Sequence, residues 1–147
     1  IDFIMALGDV LNIGTPSDGT VSTVKIVNNA VTATKLADVN FAGNTNTDTT
    51  NTGNVTLDFA TYQNHILTLT GAVTLVNPST EAVGQTGVLV FIQDGTGNRT
   101  VSLGTDYETA GAAGITLSTA ASTTDIVPYI VAASGRILLG APQLAFA

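Results

Sequence analysis

Few side chains in this sequence have the chemistry of a catalyst or a ligand set, and their spacing decides what they can do. His65 is the sole histidine and stands between Asn64 and Ile66 at the start of an apolar run. A general base needs an orienting partner within hydrogen-bond reach; no acid adjoins it, so it reads as a strand-end or surface histidine. Asp94-Gly95-Thr96-Gly97-Asn98 has the glycines of a phosphate-binding loop. It lacks the G-K-[ST] ending and no helical pattern follows, so neither a lysine nor a helix N-terminus would meet a phosphate. A hairpin turn is the simpler reading. Asp48, Asp94, Asp106 and Asp125 carry oxygen ligands for a hard cation, but no D-x-[DN]-x-[DN]-G spacing occurs. Asn44, Asn46 and Asp48 alternate and would share a strand face able to collect an ion; the alternative is a solvated polar loop. Asp9, Asp58, Glu81 and Glu108 would make a glycosidase pair only if two stood about 5 to 9 Å apart in a cleft. There is no Trp, and Phe3, Phe41, Phe59, Phe91 and Phe146 are expected in the core rather than as sugar platforms. Arg99 and Arg136, the only arginines, are candidates for ion pairs between subunits, the alternative being exposed strand charges. No catalytic, cofactor-binding or metal site is expected.

The elements that would carry these residues follow from composition. Charged residues are 10% of the 147, well below the usual quarter. Thr, with 25 copies, Asn, with 11, and Gly, with 15, supply the polarity instead. That disfavours long solvated helices, whose outer faces are charged, and favours strands and turns. The net charge is −7, and Lys25, Lys35, Arg99 and Arg136 are the only cations. Four scattered cations cannot track a phosphate backbone, so nucleic acid is not an expected partner. No apolar run reaches the length of a membrane span. The opening IDFIMALGDVLNIG lacks a basic n-region and is interrupted by Asp2, Gly8 and Asp9, unlike a signal peptide. Without cysteine there is no disulfide and no thiolate metal site.

Along the chain, residues 1–39 read as an N-terminal arm. Phe3, Ile4, Leu7, Val10 and Leu11 form a sticky apolar segment, helix or strand, expected to be buried against another subunit or another partner protein. Residues 19–26 and 29–36 then repeat with a ten-residue period, Val21, Lys25 and Ile26 recurring as Val31, Lys35 and Leu36. One such unit cannot bury a core alone; stacking or oligomerising supplies the missing apolar partner. Residues 40–54, NFAGNTNTDTTNTGN, read as a polar linker. Residues 55–147 read as a β domain of seven or eight short strands: 55–59, 66–70, 73–76, a central hairpin from Gly87 to Tyr107, 115–117, 125–132 and 136–139. In the hairpin Val88, Val90 and Ile92 alternate with Leu89, Phe91 and Gln93, and a DG/GN turn leads into a return strand at Arg99–Leu103. Pro128 argues for an edge or a bulge, and 142–147 for an extended tail. Short strands joined by turns leave no room for helical crossovers, so antiparallel pairing in a β-sandwich or jelly-roll-like fold is expected.

The V-x-x-x-K-[IL] decads at 19–38 resemble repeats of bacteriophage tail-fibre and other virion-appendage proteins. The ordered set GNVTLD (53–58), LTLTGAVTL (67–75), NP (77–78), GQTGV (84–88), QDGTGNRTV (93–101), TLSTA (116–120) and DIVPY (125–129) resembles a β domain of phage structural proteins. The resemblance implies a virion location and a non-enzymatic structural role by self-assembly and attachment. It also implies a homo-oligomer, a trimer being favoured, among other virion proteins. The alternatives are a capsid decoration or head-fibre protein, a self-assembling extracellular filament using N-terminal strand addition, and a module that binds host surface glycan.

Overall fold

Alternating apolar and polar residues build most of what the structure contains. It is a computed structural model that describes residues 43–147 together with residue 26. Eight strands follow in chain order: β1 (Thr45–Thr56), β2 (Asn64–Val76), β3 (Thr86–Gln93), β4 (Val101–Leu103), β5 (Tyr107–Glu108), β6 (Thr124–Ala133), β7 (Arg136–Leu139) and β8 (Gln143–Phe146). Among the described residues the one helical element is a 3-10 turn at Ala110–Ala112. All eight strands join one curled sheet in the order β1-β2-β3-β6-β7-β5, with β4 added to β2 and β8 to β6. The all-β class is as expected.

Strand direction is not. β1 with β2, β2 with β3, β2 with β4 and β5 with β7 are parallel. Only the pairs made by β6 are antiparallel. Parallel neighbours ordinarily need a crossover of a dozen residues or more, yet residues 57–63 suffice between β1 and β2. The bends explain this. The first half of β2 pairs with β3, from His65↔Leu89 to Leu69↔Gln93, and its second half with β4, from Val73↔Val101 to Leu75↔Leu103. The chain thus turns a corner near Gly71 and is already on its way back when β2 ends. β1 turns the same corner at Gly53, whose φ of 67° lies in the left-handed region that glycine enters without strain. Three turns of chain therefore stack in parallel, and the β6–β7 hairpin closes the stack against β3.

This winding corrects several sequence expectations. Gly87–Tyr107 is not a hairpin: β3 and β4 do not pair with each other, and residues 94–100 round the corner between them. The strands expected at 66–70 and 73–76 are one strand, β2, which runs on through Gly71 and Ala72. The tract expected as a linker over 40–54 is sheet from Thr45 onward, because side-chain polarity does not prevent a backbone from pairing with an apolar neighbour. Residues 115–117 form no strand, while 143–146 of the expected tail do. Pro128 lies in an interior strand, yet β7 pairs with β6 from Tyr129 onward and β8 pairs with it at Thr124 and Ile126. The proline falls in the gap between them, where its missing N–H removes no ladder bond.

The core lies inside the coil. Leu67, Leu69, Leu89, Phe91, Val127 and Ile137 are almost completely buried, at the alternate positions of β2, β3, β6 and β7. Leu57 and Phe59, on the return segment after β1, cover them. The Phe59 ring meets Tyr129 edge-on at 5.2 Å. Of the arm residues singled out above, Phe3, Ile4, Leu7, Val10, Leu11, Val21, Val31 and Leu36 lie outside the described residues; Ile26 is exposed.

Candidate functional site

Stacked parallel turns leave a physical problem at each step: the corners and return segments carry backbone groups that no ladder satisfies. Side-chain amides meet it. An Asn or Gln directly precedes each of β1, β2 and β3, namely Asn44, Gln63 and Gln85. Asn44 Nδ2 donates to Thr61 O at 3.1 Å, and Gln63 Nε2 to Thr86 O at 2.8 Å. Gln85 Nε2 reaches back to Phe59 O and Tyr62 O at 3.1 and 3.2 Å. Within the strands, Asn64 Oδ1 accepts from Val88 N at 3.1 Å, and buried Asn51 donates to Asp48 O and Thr68 O at 3.0 and 3.1 Å. At the far corner Asn77 donates to Thr105 Oγ1 at 2.7 Å and accepts from Asp106 N at 3.1 Å. Gly87 lies where a methyl group would run into Gln63 O and come within 2.9 Å of the Tyr129 ring. Its bareness lets the Tyr129 hydroxyl donate to Gln63 O at 2.6 Å.

The loop with phosphate-loop glycines is closed on itself. Asp94 Oδ1 accepts from Thr96 N and Gly97 N at 3.0 and 2.9 Å. The Arg99 guanidinium grips both oxygens of Asp94, its Nη2 2.8 Å from Oδ2. Chiefly that contact holds the Asp94 carboxyl down at about 2. Gln93, fully buried, donates to Arg99 O and Ser118 O and accepts from Arg99 N at 2.8 Å. Arg136 likewise pairs with Glu108, Nε to Oε1 at 2.8 Å, which lowers the Glu108 pKa. Both arginines expected to reach across subunits therefore have a carboxylate in their own chain. Arg99 stands five positions after Asp94, and the parallel β5–β7 pairing brings Glu108 beside Arg136.

Four of the other carboxylates are engaged with backbone, while that of Asp106 meets the Thr105 hydroxyl at 3.5 Å. Asp58 accepts from Ala60 N and Thr61 N, Asp48 from Thr50 N, and Glu81 from Gly135 N. Asp125, almost wholly buried, accepts from Ser118 N at 2.6 Å, Ser118 Oγ at 2.7 Å and Ala145 N at 2.8 Å. Asn46 and Asp48 share a ladder face beside His65 and Leu67. Asp9 lies outside the described residues. No group of three or more potential ligands gathers among the described residues.

His65 is not at the surface. It is completely buried between Phe59, at 5.2 Å, and Tyr62, at 6.2 Å, both edge-on. Neither ring nitrogen has a hydrogen-bond partner among the described residues. Desolvation drives its pKa down to about 4, against a smaller upward pull from Asp58. An open cleft of about 750 Å³ runs along β4 and β5 and carries the hydroxyls of Ser102, Thr105 and Thr109.

Residues 31–136 match the family described as "Putative phage tail fibre C-terminal domain". The chain belongs to this tail-fibre family. No curated protein and no solved structure matches it. The tail-fibre family is structural, so this chain is a virion component that associates with other virion proteins. No periodicity or motif in the sequence of this tail-fibre chain marks the amide clamps. The signal is instead one Asn or Gln immediately before each of three successive strands, a repeat hidden by unequal turn lengths and by the polar sequence of β1.

Proposed function

We propose that this tail-fibre chain works without chemistry, as a self-assembling subunit that forms a homotrimer and gives the fibre a stiff segment. The observation that carries the reading is the amide before each of β1, β2 and β3, bonded to the backbone of another turn. Such bonds fix the spacing and rotation of successive turns, which a structural segment requires and an unbraced coil lacks. The scarcity of charge on the surface supports close approach of copies. Two measurements test this together. Analytical ultracentrifugation should give a discrete species of three times the 14.9 kDa chain. Immunogold labelling of virions should mark the tail fibres. Labels spread over a capsid lattice would favour a decoration protein, and an open helical array a strand-adding filament; either overturns the fibre reading.

The open cleft favours a second reading, recognition of host surface glycan, because hydroxyl-bearing side chains line it beside Leu103 and Ile115. Binding of purified host-surface glycan that Ser102→Trp abolishes would support it; unchanged binding in that variant would count against the cleft.

A further inference from the structure

Parts of β2, β3, β6 and β7 are apolar on both faces, although only one face looks into the core. Ile66, Val90 and Ile126 are register neighbours across β2, β3 and β6. Ile130 and Leu138 are neighbours across β6 and β7, and Pro128 lies between these rows. All six alternate with buried positions, so they point outward. Ile130 is 43% exposed. A notch of about 350 Å³ opens in the same face, lined by Pro128, Ile130, Leu138 and Gly140 among others. Sheets with near-continuous apolar strands are ordinarily covered on both sides.

Charge singles out the cover. The chain carries a net charge of −7, so two copies repel wherever carboxylates face each other. β2, β3, β6 and β7 expose one charged side chain, Arg136 at the first position of β7, and it is already paired with Glu108. Acidic copies can meet on this face without opposing charges. The hydroxyls of Thr68 and Thr124 lie on either side of Ile92 at one end of the face, while Val88, Val90, Ile126, Ile130 and Leu138 fill much of the rest. We propose that the outward face of β2–β3–β6–β7 is the surface on which a second copy of this chain packs. The inference rests on the homo-oligomeric reading above and gives it a location.

The test uses the full chain and three variants in analytical ultracentrifugation, with circular dichroism melts to confirm folding. Ile130→Lys should weaken association at least about tenfold, equivalent to about 1.4 kcal/mol, while leaving the melt unchanged. Val83→Lys, at a 68% exposed position outside the face, should associate like wild type. The chain has no cysteine, so Ile130→Cys should be joined to a neighbouring copy by a short bis-maleimide. A wild-type oligomer that Ile130→Lys leaves intact overturns the face but not the oligomer. A monomeric wild type overturns both. Binding to phosphatidylcholine vesicles that Ile130→Lys abolishes, with association unchanged, would assign the face to lipid and overturn the proposal.

Discussion

Burying an imidazole among rings, with no hydrogen-bond partner among the described residues, makes its protonation a question of stability. In the unfolded chain His65 binds a proton near the ordinary value of 6.5; in the fold, burial delays this to about 4. Between those values the unfolded state holds more protons, so stability falls as pH drops from 6.5 towards 4 and is unaffected by His65 above that window. The full loss is about 3 kcal/mol. Urea titrations at several pH values should show it, and His65→Leu should flatten the slope in that window. An equal slope in the variant would assign the acid sensitivity to the carboxylates instead. Asp94 acts differently, since Arg99 holds its pKa far below this range. Asp94→Ala frees Arg99 together with Thr96 N and Gly97 N. Amide exchange over residues 94–100 should speed up while the amides of β3, paired with β2 and β6, exchange as before.

The coil's corners decide whether its strands can be parallel, and the amides decide whether the turns stay in register. Asn51→Ala would leave Asp48 O and Thr68 O without their side-chain donor in a buried place. The expected cost is about 1 to 3 kcal/mol, measured as a shift of the urea midpoint at unchanged slope. Gly87→Ala should cost a similar amount, about 1 to 3 kcal/mol, because Gln63 O and the Tyr129 ring occupy the space of the new methyl. The same corners explain what the sequence could reveal. The alternation in β3 was legible because Leu89, Phe91 and Gln93 face the core while Val88, Val90 and Ile92 face out. β6 and β7 were legible for the same reason. Their partners were not: a Gly-rich stretch that reverses a chain and one that carries it round a corner, such as 94–100, have the same composition. β1 was hidden because its inward ladder positions include Asn46, Asp48 and Asn51 instead of apolar residues. His65 was misplaced because burial depends on the return segment carrying Phe59 and Tyr62, which no local pattern foretells.

At the scale of the whole molecule, copies of a chain of net charge −7 that pack on the proposed apolar face do so against their own repulsion. Arg99 and Arg136 cannot offset that repulsion between copies, because each is already bound to a carboxylate of its own chain. Added salt shortens the range of the repulsion and leaves apolar contact in place. An interface held by ion pairs would respond in the opposite sense. Raising NaCl from about 20 mM to about 500 mM, across which the Debye length shrinks from roughly 20 Å to roughly 4 Å, should therefore tighten self-association. Sedimentation equilibrium at several salt concentrations measures this directly. A dissociation constant that falls with salt fits the uncharged face of β2–β3–β6–β7 meeting its copy. One that rises would place the contact on paired charges, with the Arg136–Glu108 pair exchanging partners between copies as the first candidate. Ile130→Lys separates the cases again, because a new cation on the apolar face weakens the first kind of assembly and has no reason to disturb the second.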